Sequence, residues 1–390
     1  MNTTTYTVSY LIFLIFAGTA VLSTLALFTR QSLLIAYIAL GAILGPYGLK
    51  LISNSVVIHQ AGNVGIIFLL FLLGLDLQPQ SLFHSLRKMS LITFSSAIIF
   101  FITGFVISFL FGFSAAKCIV IGAAMMFSST IIGIKLLPTT ILHHQHTGEL
   151  VVSILLLQDV IAIAAILVLQ VMASSTTAPG VTGIISAFPI LVIVAYVFQR
   201  YILSWLLARF DKIHEYIFIL SIGWCLCLAE LGHALGLSEE IGAFIAGVAL
   251  ASNPIACYIA DSLKPLRDFF LVIFFFSIGA SFDFNYFPQV ILPACALALS
   301  ILILKPVIFN WLLRRSGEVK KISWEVGSRL GQLSEFSILI IYMALEANII
   351  HPFTANMIEA AVIITFIVSC YWIVMRYPTP LASSDKLRRD

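Results

Sequence analysis

An apolar run from Glu149 to Met172 is long enough to cross a bilayer, and it carries an aspartate near its middle. The centre reads Leu155-Leu156-Leu157-Gln158-Asp159-Val160-Ile161-Ala162-Ile163. At about 1.5 Å of rise per residue, Asp159 lies roughly 15 Å from Glu149, near the midplane of a ~30 Å hydrocarbon core. A charge at that depth costs at least ~2.5 kcal/mol, and such residues usually line ion or proton pathways. Asp159 is therefore expected to bind a cation and a proton in turn. The alternative is a protonated acid that only joins two helices.

The rest of the chain fits a membrane solvent. Of 390 residues, 61% are hydrophobic and 10% charged, where soluble domains carry about 25% charged residues. A formal charge of +3 with no basic domain excludes nucleic acid as a partner. Six scattered cysteines read as apolar fillers, and no nucleotide-binding glycine pattern follows a strand-like run. No cofactor is expected, and no catalytic pattern of an intramembrane enzyme is present. The first span lacks a positive n-region and reads as a retained helix.

Windows of about 20 apolar residues predict thirteen spans. The second, near 32–48, and the ninth, near 238–253, are short and rich in glycine. With thirteen spans, sixteen Lys and Arg fall on one side and only Lys50 and Lys117 on the other. That bias predicts an N-terminus outside and a C-terminus in the cytoplasm. Arg200, Lys305 and Arg329 remain within spans. Arg200 can snorkel to the surface. Gly41 and Gly45, before Pro46, favour close helix packing, within the chain or in an oligomer.

Thirteen spans divide into six, one and six, which permits two inverted repeats with a linker between them. The fifth span is interrupted by Phe127-Ser128-Ser129-Thr130-Ile131-Ile132-Gly133. The twelfth is interrupted at a matching offset by Arg329-Leu330-Gly331-Gln332-Leu333-Ser334-Glu335. Paired broken helices mark a transport site. The expected fold class is an all-α polytopic membrane protein with two inverted six-helix repeats and crossed broken helices.

Lys305 lies about 13 Å of helix from Arg314, at a depth similar to that of Asp159. A lysine in lipid needs an anion to stay charged, and Asp159 or Glu335 could supply one. Lys305 could equally be a permanent counter-charge that holds helices together. Pro306 frees the carbonyl of Leu302. The hydroxyls of Ser128, Ser129 and Thr130 can cap freed backbone groups or replace the water around a hard cation. Arg329 and Glu335 are expected to neutralise half-helix ends, as supports more than ligands. His143, His144 and His146 form a loop cluster that reads as a solvated loop or a pH sensor.

These residues resemble a family. Leu156 to Ile163 looks like the sixth helix of the cation–proton antiporters of the Kef, NapA and GerN kind. Ser128-Ser129-Thr130, Leu235 to Ser238, Gly242 to Gly247, Phe274 to Asp283, Lys305 with Pro306, and Gln332 to Phe336 are also similar to Kef-type stretches. The resemblance implies a homodimer, an ion site at Asp159 and Gln158 with Ser128, Ser129 and Thr130, and support from Lys305, Glu335, Arg329 and Gln332. It implies an antiporter domain over 1–376. Its moving core would be 89–172 and 288–376, its dimerisation scaffold 1–76 and 215–283, and its linker helix 181–208. NapA-type members carry two adjacent aspartates, whereas the Gln158-Asp159 pair resembles the potassium-exchanging Kef branch. Kef members continue into a nucleotide-binding domain. Here 377–390 reads as a short cytoplasmic tail, of either a short member, as GerN-like proteins are, or a chain cut from a longer one, so nucleotide or glutathione regulation is not supported.

The expected function is exchange of K⁺, or Na⁺, for H⁺ across an inner membrane, by competition at Asp159 and an elevator motion. A single titrating carboxylate beside a neutral Gln158 predicts electroneutral exchange. The alternatives are a cation channel and the membrane domain of a larger sensor or receptor.

Overall fold

The computed structural model describes residues 8–29, 31–52, 55–76, 79–138, 146–173 and 178–380. In chain order its helices are α1 (Val8–Phe28), α2 (Leu33–Leu44), α3 (Ser55–Asp76), α4 (Pro79–Leu110), α5 (Ala115–Met125), α6 (Thr130–Lys135), α7 (His146–Ala173) and α8 (Ala178–Phe198). After a π turn come α9 (Ser204–Arg209), α10 (His214–Ala234), α11 (Glu239–Ala251) and α12 (Ala256–Ser281). The last are α13 (Phe287–Arg315), α14 (Lys320–Arg329), α15 (Glu335–Glu346) and α16 (Pro352–Arg376). The chain is a helical, multi-pass membrane protein. Among the described residues, eight helical stretches are long and apolar enough to cross a bilayer unaided. The short second and ninth spans form helices of only 12 and 13 residues, below the roughly 20 needed to cross alone.

Two compact units emerge. One comprises residues 1–20, 37–82 and 170–281, the other 21–36, 83–169 and 282–390. In the first, α3 packs against α11 and α12, and α10 packs against α11. Glycine makes this approach close enough to bring backbones together. A Cβ on Gly247 would collide with the Phe71 carbonyl, and one on Gly74 with the Phe244 carbonyl. Gly41 and Gly45 likewise face Phe276 and Ala280 of α12, so this glycine pair serves packing within the chain.

The second unit contains both breaks. Helix α5 ends at Met125, and Ser129 caps α6 by accepting the Ile132 N–H at 3.1 Å. Helix α14 ends at Arg329, and Ser334 caps α15 in a reciprocal box with Ser337. Serine at these positions favours a new helix start over continuation, by about 0.5–2 kcal/mol each. Long helices frame the breaks. Val151, Ile154 and Leu155 of α7 share a core with Phe100 of α4, Phe309 and Leu313 of α13, and Val326 of α14. Helix α13 runs unbroken through Pro306 and packs on α14 and α16.

Gly247→Val places side-chain carbons against the α3 backbone. It is expected to lower the thermal stability of purified protein in detergent, with a cost at or above the ~1–3 kcal/mol typical of overpacking. Gly223→Ala, which meets open space, should leave the melting curve in place.

Candidate ion-binding site

The two breaks lie against each other. Ser128 Oγ donates to the Leu330 carbonyl at 2.8 Å, Gln332 Nε2 reaches the Ser129 carbonyl at 3.4 Å, and Ser337 Oγ donates to the Ala124 carbonyl at 2.5 Å. In lipid, backbone groups released by a broken helix need internal partners. Here each broken helix supplies partners to the other.

Asp159 meets this crossing from α7 and is 1% exposed. Thr130, the first residue of α6, shares its hydroxyl proton between the two carboxylate oxygens at 3.1 and 3.2 Å. Gln158 points elsewhere, because adjacent helical residues diverge by about 100°. Its Oε1 accepts the Ser128 N–H at 3.0 Å, which also fixes which way the amide is turned. Its Nε2 is buried with no partner among the described residues. The structure thus gathers Gln158, Asp159, Ser128, Ser129 and Thr130 within one unit.

Lys305 is fully buried. The sequence offered carboxylates as its partners, and the structure gives it oxygens at the breaks. Its Nζ donates to the carbonyls of Phe127 at 2.5 Å and Gln332 at 2.9 Å, and to Ser128 Oγ at 3.2 Å. Ser128 Oγ spends its own proton on Leu330, so it accepts from Lys305. Three acceptors use three N–H bonds, which is the count of an ammonium. The charge also lies 5.3 Å from the centre of the Phe100 ring. It sits where α5 and α14 end, and cations favour helix C-termini.

Charged side chains also meet both ends of α6. The Glu335 carboxyl lies against the N-terminus of α6, near Ser129 and the backbone N–H groups of Thr130 and Ile131. Its Oε2 has no hydrogen-bond partner among the described residues. Arg329 donates to the Leu136 carbonyl at the C-terminus of α6 (3.0 Å) and to the Pro378 carbonyl (2.9 Å). It is paired with Glu325 at 2.9 Å. Gln332 is anchored by Ser369, whose hydroxyl donates to Oε1 at 3.0 Å.

The sequence reading missed Ser337, Thr365 and Ser369. Thr365 accepts the Leu333 N–H at 3.1 Å. Its spacing of four from Ser369, which puts both on one face of an apolar helix, was the available signal. Of the histidines, His143 and His144 lie outside the described residues. His146 is apart from the crossing, between Glu149 at 3.3 Å and Glu318 at 3.0 Å.

Residues 11–375 match the family model described as the transmembrane sodium/hydrogen exchanger. The chain belongs to the sodium/hydrogen exchanger family. The family's members are membrane transporters. Among curated relatives, K(+) efflux antiporter 5 of Arabidopsis thaliana is 27% identical over 82% of this chain and 58% of its own length. The glutathione-regulated potassium-efflux system protein KefC of Escherichia coli O17:K52:H18 is 28% identical over 96% of this chain and 62% of its own length. An iron transporter, MagA of Paramagnetospirillum magneticum, is 24% identical over 88% of this chain and 80% of its own. The chain thus spans about three-fifths of the potassium-efflux relatives it matches. The sodium proton antiporter MjNhaP1 of Methanocaldococcus jannaschii shares the fold, with a TM-score of 0.71 at 17% identity over 93% of this chain and 97% of that one.

Lys305→Met removes the cation and strands the Phe127 and Gln332 carbonyls. Each is expected to cost about 1–3 kcal/mol, read as a lowered melting temperature in detergent. Lys305→Arg, which keeps the charge, should recover part of the loss.

Proposed function

We propose that this protein exchanges a monovalent cation for protons by competition at Asp159. One observation carries the reading: a buried carboxylate held by Thr130 beside two facing helix breaks, in a chain of the sodium/hydrogen exchanger family. The free carboxylate is the costly state in lipid. A proton neutralises it, and so does a dehydrated alkali cation, for which oxygens such as the Thr130 hydroxyl replace water. Each passenger therefore excludes the other. Lys305 spends its three N–H bonds on fixed oxygens, so one group changes charge per cycle and exchange is electroneutral.

Potassium is the favoured cation, with sodium second. The Gln158-Asp159 pair and relatives named as potassium-efflux proteins support that order. The oxygen chemistry around Asp159 suits a hard monovalent ion. Among the described residues, no cluster of three His, Cys, Asp or Glu offers a transition-metal site.

In this reading, residues 89–172 and 288–376 form the core that carries the ion across in an elevator motion. Residues 1–76 and 215–283 form the scaffold of a homodimer, with 181–208 as the link. The N-terminus faces outward and the C-terminus the cytoplasm of an inner membrane, as the charge bias of the loops supports.

In proteoliposomes, an imposed K⁺ or Na⁺ gradient should drive saturable, uphill proton movement that a voltage clamp leaves unchanged. Asp159→Asn should reduce it to the level of empty vesicles. Wild-type exchange by that variant removes Asp159 from the mechanism, and flux that never runs uphill indicates a channel. Gln158→Asp should alter ion preference or charge stoichiometry.

A further inference from the structure

The packed part of the second unit runs on past the end of α16. Pro378 cannot extend a helix and holds the residue before it extended, and Tyr377 leaves α16 at φ −125° and ψ 157°. The chain thereby turns onto α14. The Tyr377 hydroxyl donates to the Trp324 carbonyl at 3.4 Å and lies 3.1 Å from Ser328 Oγ, which can donate to it in turn. The centre of its ring is 5.6 Å from the Arg329 guanidinium, within cation–π range. Thr379, two residues on, is fully buried.

Arg329 is itself fully buried, and its planar fork serves three elements at once. Nη2 donates to the Pro378 carbonyl at 2.9 Å and Nη1 to the Leu136 carbonyl at 3.0 Å. Nε and Nη2 donate to Glu325 Oε1 at 3.1 and 2.9 Å. The two terminal nitrogens of one rigid group thus grip the segment after α16 and the C-terminus of α6. The guanidinium is flat, so shifting one contact turns the other. Helix α6 is six residues long, about 9 Å. Its first residue is Thr130, whose hydroxyl bonds Asp159. A chain of direct contacts therefore runs from Tyr377 to the buried carboxylate.

We infer that Tyr377, with Pro378, is a positioning residue for the Asp159 site, acting through Arg329 and α6. Its part in transport rests on the exchange reading above. The segment after α16 then belongs to the exchange machinery, and whatever draws it off α14 loosens the hold on α6.

Backbone amide hydrogen exchange of the full chain in nanodiscs, read by mass spectrometry, tests the link without transport. Tyr377→Ala should speed exchange at 133–137 by roughly two- to thirty-fold, the span for side chains that act through a packed network. It should leave α10, α11 and α12 at wild-type rates. Tyr377→Phe keeps the ring and loses the hydroxyl, and should fall between the two. Unchanged rates at 133–137 overturn the link, and so does an equal rise in α10 to α12, which marks general loosening. Where Tyr377→Ala fails to fold, Tyr377→Phe decides by the same rule. In proteoliposomes, Tyr377→Ala should raise the K⁺ or Na⁺ concentration at half-maximal exchange by a similar factor while the maximal rate stays at the wild-type level. Tyr377→Phe should recover part of the affinity. An unchanged half-saturation overturns the positioning role. If the wild type exchanges nothing, the function proposed above falls, and the amide rates still decide whether Tyr377 holds α6.

Discussion

The structure depends on how backbone groups are satisfied where two helices break inside an apolar medium. Each interruption strands donors and acceptors that water would otherwise take. The solution here is reciprocal. Ser128 bonds the Leu330 carbonyl, Ser337 bonds the Ala124 carbonyl, and Lys305 binds one carbonyl from each break. Neither break could persist alone, since each supplies what the other lacks. The polar residues that interrupt the apolar pattern are thus partners in a closed set.

Charge follows the same logic. The ends of α5 and α14 receive an ammonium, the start of α6 a carboxyl, and the end of α6 a guanidinium. These pairings use Lys305, Glu335 and Arg329 on fixed dipoles. Asp159 receives instead a neutral hydroxyl, which bonds it without neutralising it.

Much of this was legible in the sequence. The two interruptions follow from polar residues at particular places in apolar runs, as do the burial of Asp159 and the placing of Arg329 at a helix break. What escaped depends on facing positions that no local pattern encodes. The partners of Lys305 are main-chain carbonyls, which carry no sequence signal at all. Thr365 and Ser369 are ordinary small polar residues whose importance comes from lying against Leu333 and Gln332. Hydropathy also cannot separate a span from a short helix buried by its neighbours, as α2 and α11 illustrate.

The six residues of α6 carry the argument one step further. A helix that short has no stability of its own in isolation. It is held at one end by Ser129 and Glu335, and at the other by Arg329. Thr130 is therefore fixed in place, and with it the hydroxyl that bonds the Asp159 carboxylate. Under the proposed exchange, orienting a buried ligand in advance would spare an ion that cost. In the exchange proposed above, the charges around the crossing would act in this indirect way: they hold in place the short helix whose first residue bonds Asp159.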